Sequence, residues 1–75
     1  MPSPKKKKEN RTQLDFPEAI MVVRNGGKIT KLEWKNDKIY GCMNNGFLSL
    51  HQENGSFSRW LVNDGDMVGE DWVIV

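Results

Sequence analysis

IYGCMNNGFLSLHQENGSFSRWL, residues 39–61, decides the fold. Three short runs rich in apolar and aromatic side chains, 39–43, 47–52 and 56–61, are separated by Asn44-Asn45-Gly46 and by Asn54-Gly55. Asparagine and glycine tolerate the positive φ that tight hairpins require, so both separators read as turns. The three runs then read as consecutive antiparallel strands. Upstream, residues 28–34 place Thr30, Leu32 and Trp34 on one side and lysine and glutamate on the other, apart from Ile29, which predicts another strand. Residues 35–38 form the turn between them.

Further upstream the period changes. Asp15-Phe16-Pro17-Glu18 combines an N-cap acceptor, a proline in the first turn and an acid three residues after the cap, the pattern of a capping box. Ala19, Ile20, Met21, Val22 and Val23 follow, and Asn25-Gly26-Gly27 supplies a left-handed stop. Phe16, Ile20 and Val23 fall on one stripe of a helix of about three turns, too short to be stable alone, so it must lie on the sheet. Downstream of Trp60, the glycine-punctuated NDGDMVGED predicts a loop with one helical turn at 66–69, and residues 72–75 a last strand. A helix followed by four or five mostly antiparallel strands makes residues 14–75 a single α+β domain.

Residues 1–13 hold five basic residues (Lys5, Lys6, Lys7, Lys8 and Arg11) against one acid, with no large aliphatic side chain beyond Met1. Such a segment cannot bury enough to offset its ordering entropy and is expected to be a disordered basic tail. No aromatic interleaves the lysines, so nucleic acid is not the expected partner; the alternative reading is a small interaction module whose basic tail docks on nucleic acid or an acidic host protein. From Leu14 onward six basic residues face nine acids, which leaves the folded part mildly acidic. No apolar run reaches the length of a membrane span or a signal peptide core, so a cytoplasmic, membrane-free protein is expected.

Seventy-five residues with one cysteine and one histidine can form neither an intrachain disulfide nor a four-ligand zinc site. A chain this small is marginal by itself, and self-association is the remaining way to bury more surface. Catalysis has little support. His51 lacks a nucleophile partner, Cys42 lies mid-strand without a flanking base, and no glycine-rich phosphate loop follows a strand. Asp66, Glu70 and Asp71 lack the register of a calcium loop, so no metal or other cofactor is expected.

Several side chains suit ligand recognition, each with an ordinary structural alternative. Trp34, where a strand meets a turn, can stack on a purine face or cap the edge of the core. Asn36 can pair with a base edge or ribose, or simply shape the turn. Asp66 can accept hydrogen bonds from an amino group or ribose hydroxyl, or cap the helical turn that follows it. Arg59, beside Trp60, and Lys35 are candidates for neutralising phosphate; either can equally be solvated. Trp60 is a candidate pocket wall, whereas Trp72 reads as core.

The succession Phe16-Pro17-Glu18-Ala19, then Trp34-Lys35-Asn36, Asn54-Gly55, Trp60 and Asp66-Met67-Val68-Gly69-Glu70-Asp71-Trp72 resembles the small phage and prophage domain family that includes the second class of Thoeris anti-defence proteins. The resemblance covers about residues 15–75. It departs from the family's usual tryptophan, asparagine, glycine after the first strand, because Lys35 intervenes and Asp37 replaces the glycine. The resemblance implies a non-enzymatic sponge that sequesters a nucleotide second messenger, a cyclic nucleotide or cyclic ADP-ribose-type signal. It also implies a homotetramer or homodimer with pockets shared between subunits, in the host cytoplasm. Carried onto this chain, Trp34 and Phe16 would stack the base, Asn36 and Asp66 would read its edge or the ribose, and Arg59 or Lys35 would neutralise phosphate.

Overall fold

The computed structural model describes residues 11–75, so the lysine run and most of the expected tail lie outside the described residues. Helix α1 spans Phe16–Arg24. Its capping box is closed in both directions: Asp15 Oδ1 accepts from the Glu18 N–H and Glu18 Oε1 accepts from the Asp15 N–H, each at 3.0 Å. At the other end Gly26 takes φ +95°, and the Gly27 N–H returns to the Val22 carbonyl at 2.8 Å. Only glycine enters that backbone region without strain.

Five strands follow: β1 (Ile29–Lys31), β2 (Tyr40–Asn44), β3 (Phe47–His51), β4 (Phe57–Arg59) and β5 (Trp72–Ile74), with a short helix α2 (Asp64–Val68) between the last two. They form one sheet in the order β4-β3-β2-β1-β5, every neighbouring pair antiparallel. This is an α+β fold. Asn45 and Gly46, both at positive φ, close the β2–β3 hairpin in two residues. The second hairpin uses three, with Gly55 at φ +91° and its N–H bonded to the Gln52 carbonyl at 2.9 Å. After β4 the chain crosses to the far edge and pairs β5 with β1. There Leu14 exchanges two backbone hydrogen bonds with Trp72, at 2.7 and 3.2 Å, and covers part of the outer edge.

The strand predicted over residues 28–34 is shorter than its alternation suggests. It stops at Lys31; Leu32–Trp34 form a 3₁₀ turn, and Lys35 ends the turn in the left-handed region at φ +55°. The cause is Asp71, just before β5. Its carbonyl accepts from the Leu32 N–H and its Oδ2 from the Glu33 N–H, both at 3.0 Å. These bonds bend the chain out of the sheet. Ile29, Thr30 and Lys31, on an inner strand between β2 and β5, are all buried instead of alternating, and beyond the bend Trp34 packs against the core.

Helix α1 packs on the face of the sheet that carries Ile29 and Trp72. Ala19, Val23, Ile29, Trp60 and Trp72 form the buried centre, with Phe16 and Trp34 packed against it. Trp72 is fully buried, as the sequence predicts. Phe16 and Trp34 flank the two inner indoles at centroid separations of 5.3–6.3 Å, mostly edge to face. That geometry places positive ring edges on negative ring faces.

Candidate functional site

One carboxylate organises this aromatic cluster. Asp66 Oδ2 accepts from Trp60 Nε1 at 3.2 Å and from the Asn63 N–H at 3.3 Å, while the Asp66 carbonyl accepts from Trp72 Nε1 at 3.2 Å. Both buried indole N–H groups are therefore satisfied by one residue. Asp66 is not the cap of the helical turn, as its position before residues 67–69 suggested. The turn begins earlier, and Asn63 is its cap: Asn63 Oδ1 accepts from the Asp66 N–H at 2.8 Å, which makes Asp66 the third helical residue of a reciprocal capping box. Bound in this way, Asp66 is 8% exposed and forms part of the lining of a cleft.

The cleft has a volume of about 400 Å³ and is lined by Trp34, Ile39, Leu50, Trp60, Leu61, Asn63 and Asp66. That is within the range of about 300–1,000 Å³ usual for small-molecule sites, as is an apolar wall with a few convergent polar groups. Its depth depends on Gly41. A side chain there would collide with the six-membered ring of Trp60, so only glycine lets the indole lie flat against β2. Asp66 Oδ1 has no partner among the described residues and remains able to accept from a ligand. Among the described residues no cationic side chain lines the cleft.

A sequence model of the Tad2-like family, described as the Thoeris anti-defense 2-like domain, matches residues 14–75. The chain belongs to this family. No curated protein matches it.

Of the residues singled out from the sequence, Trp34, Trp60 and Asp66 meet in the cleft of this Tad2-like domain. Phe16 does not line it; its ring packs 6.2 Å from Trp60 and 5.7 Å from Trp72 on the helix side. Lys35 is exposed beside Trp34. Asn36 has both ends of its amide engaged, donating to Glu53 Oε1 at 3.1 Å and accepting from the Lys38 N–H at 2.9 Å. Arg59 lies on the other face of the sheet, with Cζ 4.6 Å from the Phe47 ring centroid. Because side chains alternate along a strand, adjacent Arg59 and Trp60 cannot serve one pocket in a single chain.

Ile39, Leu50, Leu61 and Asn63 line the cleft without having been singled out. Asn63 carried a readable signal, since Asn-x-x-Asp is a capping box with an acid at its third helical position. The apolar three carried none, because only the sheet register brings them together.

Next to the cleft, Lys31 is buried to 8% side-chain exposure and bridges Glu33 at 2.7 Å and Asp71 at 3.0 Å. The Glu33 bond raises the lysine pKa against the opposing effect of burial, and Asp71 adds to the rise. Burial pushes the Asp71 carboxyl up, but the bonds from Lys31 and the Glu33 N–H outweigh it and hold the pKa below its ordinary range. Lys31 is thus committed to structure. Among the described residues no group of three or more His, Cys, Asp or Glu is placed to hold a metal ion.

Proposed function

We propose that this Tad2-like domain acts against Thoeris-type defence by binding a cyclic nucleotide or cyclic ADP-ribose-type signal and withholding it uncleaved. The observation that carries this reading is the convergence of Trp34, Trp60, Asn63 and Asp66 on one cleft of about 400 Å³. Two indoles give a base an apolar slot, and Asp66 Oδ1 with the Asn63 amide gives it polar edges to read. A carboxylate repels phosphate, so the cleft suits the base or ribose. The phosphates then lie at the rim, where Lys35 extends beside Trp34, or against a second subunit of a homodimer or homotetramer. Sequestration works by mass action and requires tighter binding than the starved receptor achieves. A cleft held by the Asp66 bonds loses little ordering entropy on binding, which favours such affinity.

The test is to incubate the purified full chain with a panel of cyclic di- and trinucleotides and cyclic ADP-ribose isomers, remove unbound ligand, denature by heat and identify what is released. Intact release of one signal, reduced in Trp34→Ala, is the expected result. Loss of base stacking is worth about 1–3 kcal/mol, roughly 5- to 150-fold in affinity. Retention of no panel member overturns the reading, and release of a chemically altered product replaces binding with catalysis. A chain lacking residues 1–10 should retain the ligand equally well.

A further inference from the structure

We propose that Asn45 is a site of spontaneous covalent modification: its side-chain amide is lost through attack by the Gly46 backbone nitrogen, with water as the only co-reactant, ahead of the two other Asn-Gly pairs in the chain. The inference does not rest on the ligand reading above.

Asparagine is followed by glycine three times, at residues 25–26, 45–46 and 54–55. The chemistry is common to all three. The glycine nitrogen gives up its proton to a base and attacks the asparagine Cγ; the N–Cγ bond forms, the Cγ–Nδ2 bond breaks, and Nδ2 departs as ammonia. Water then opens the cyclic imide at one carbonyl or the other, leaving aspartate or isoaspartate. Glycine favours the step because no Cβ crowds the closing ring and its backbone turns freely. As dipeptides, the three pairs are equivalent.

The fold separates them. Attack requires a glycine N–H that is free to lose its proton and an asparagine side chain that is free to swing onto it. The Gly26 N–H donates to the Val23 carbonyl and the Gly55 N–H to the Gln52 carbonyl, both at 2.9 Å. Asn54 is held further, its Oδ1 accepting from the Ser56 N–H at 3.0 Å and from the Ser56 hydroxyl at 2.7 Å. In the β2–β3 turn, Asn45 and Gly46 take φ +54° and +84°, the signs of a type I′ turn. The flanking Asn44 and Phe47 close that turn as a strand pair, so its second central N–H is left to solvent. Accordingly, neither the Gly46 N–H nor the Asn45 side chain has a hydrogen-bond partner among the described residues. Both residues are exposed. A hydrogen bond that must break before attack slows it about fivefold, which places residue 45 first, 25 next and the doubly restrained 54 last.

The two products differ in their effect on the sheet. Aspartate tolerates positive φ as asparagine does and keeps the turn. Isoaspartate routes the backbone through its Cβ, lengthening by one atom the two-residue loop that fixes the β2–β3 register.

The test follows the full chain during incubation at mildly alkaline pH, with deamidation at each pair measured by peptide mass mapping and isoaspartate identified by enzymatic methylation. In the folded chain residue 45 should react roughly fivefold faster than residue 25, and faster still than residue 54. In urea sufficient to unfold the chain the three rates should converge, because the hydrogen bonds that rank them are gone. Asn45→Gln, whose longer side chain closes a ring far more slowly, should lack the early product. Residue 25 or 54 reacting at least as fast as 45 in the folded chain, a residue 45 that reacts only in urea, or a preference for 45 that persists in urea would each overturn the proposal.

Discussion

Lys35 shows how one residue can oppose stability to recognition. A lysine at φ +55° pays the cost of the left-handed region, about 1 kcal/mol relative to glycine, and it does so between Trp34 and Asn36. Lys35→Gly should therefore raise the urea midpoint, by roughly 0.5–1 kcal/mol in unfolding free energy. If Lys35 meets phosphate at the cleft rim, the same change weakens ligand retention; unchanged retention would remove it from the site. Gly41 is the converse case. Gly41→Ala drives a methyl group into Trp60 and should cost about 1–3 kcal/mol in urea unfolding, with altered tryptophan fluorescence from the displaced ring. Asp66 tests the polar anchor. Asp66→Ala leaves the buried Trp60 N–H without its acceptor, for about 1–3 kcal/mol. Asp66→Asn, which keeps an oxygen in place, should lose less in the same denaturation, and an equal loss would show that charge matters more than the hydrogen bond.

At the scale of elements, legibility followed the range of the interactions. Helix α1 and both hairpins were readable because their determinants, the Asp15–Glu18 capping box and the Asn-Gly turns, act within a few residues. The premature end of β1 was not, because Asp71 causes it from 38 residues away in sequence. Trp34, Trp60 and Asp66 could be named as candidates, but their meeting in one cleft depends on that same bend. Arg59 was assigned to the cleft because it adjoins Trp60, and strand alternation puts it on the opposite face. The bend rests on the Lys31–Glu33–Asp71 cluster, which sets a pH dependence. Asp71 is held below its ordinary pKa, near 3.9, so its contribution is complete above that value and is lost as pH falls through the folded one. Lys31 is held above its ordinary pKa, near 10.4, so its contribution is complete below that value and is lost as pH rises through the folded one. Unfolding free energy attributable to the cluster should therefore be level between about pH 5 and 9 and decline on both sides. Lys31→Met should flatten the acid limb, and an acid limb unchanged in that variant would assign it to other carboxylates.

At the scale of the whole molecule, a one-layer helix on a five-stranded sheet leaves much apolar surface in solvent: Met43, Phe47, Phe57, Leu61, Val68 and Ile74 are each 45% exposed or more. Monomers of this size have little stability to spare, and burying such surface between copies adds to it. If unfolding and dissociation are coupled, the midpoint temperature must depend on concentration. Each tenfold increase in chain concentration adds about 1.4 kcal/mol per dimer, which for some 150 residues moves the midpoint up by roughly 3–5 °C. Differential scanning calorimetry between 10 and 1,000 µM, two decades, should thus show a rise of about 6–10 °C for the unaltered chain. A midpoint independent of concentration would mean that the sheet and its cleft are stable within one chain, and that any ligand must be held by one subunit alone.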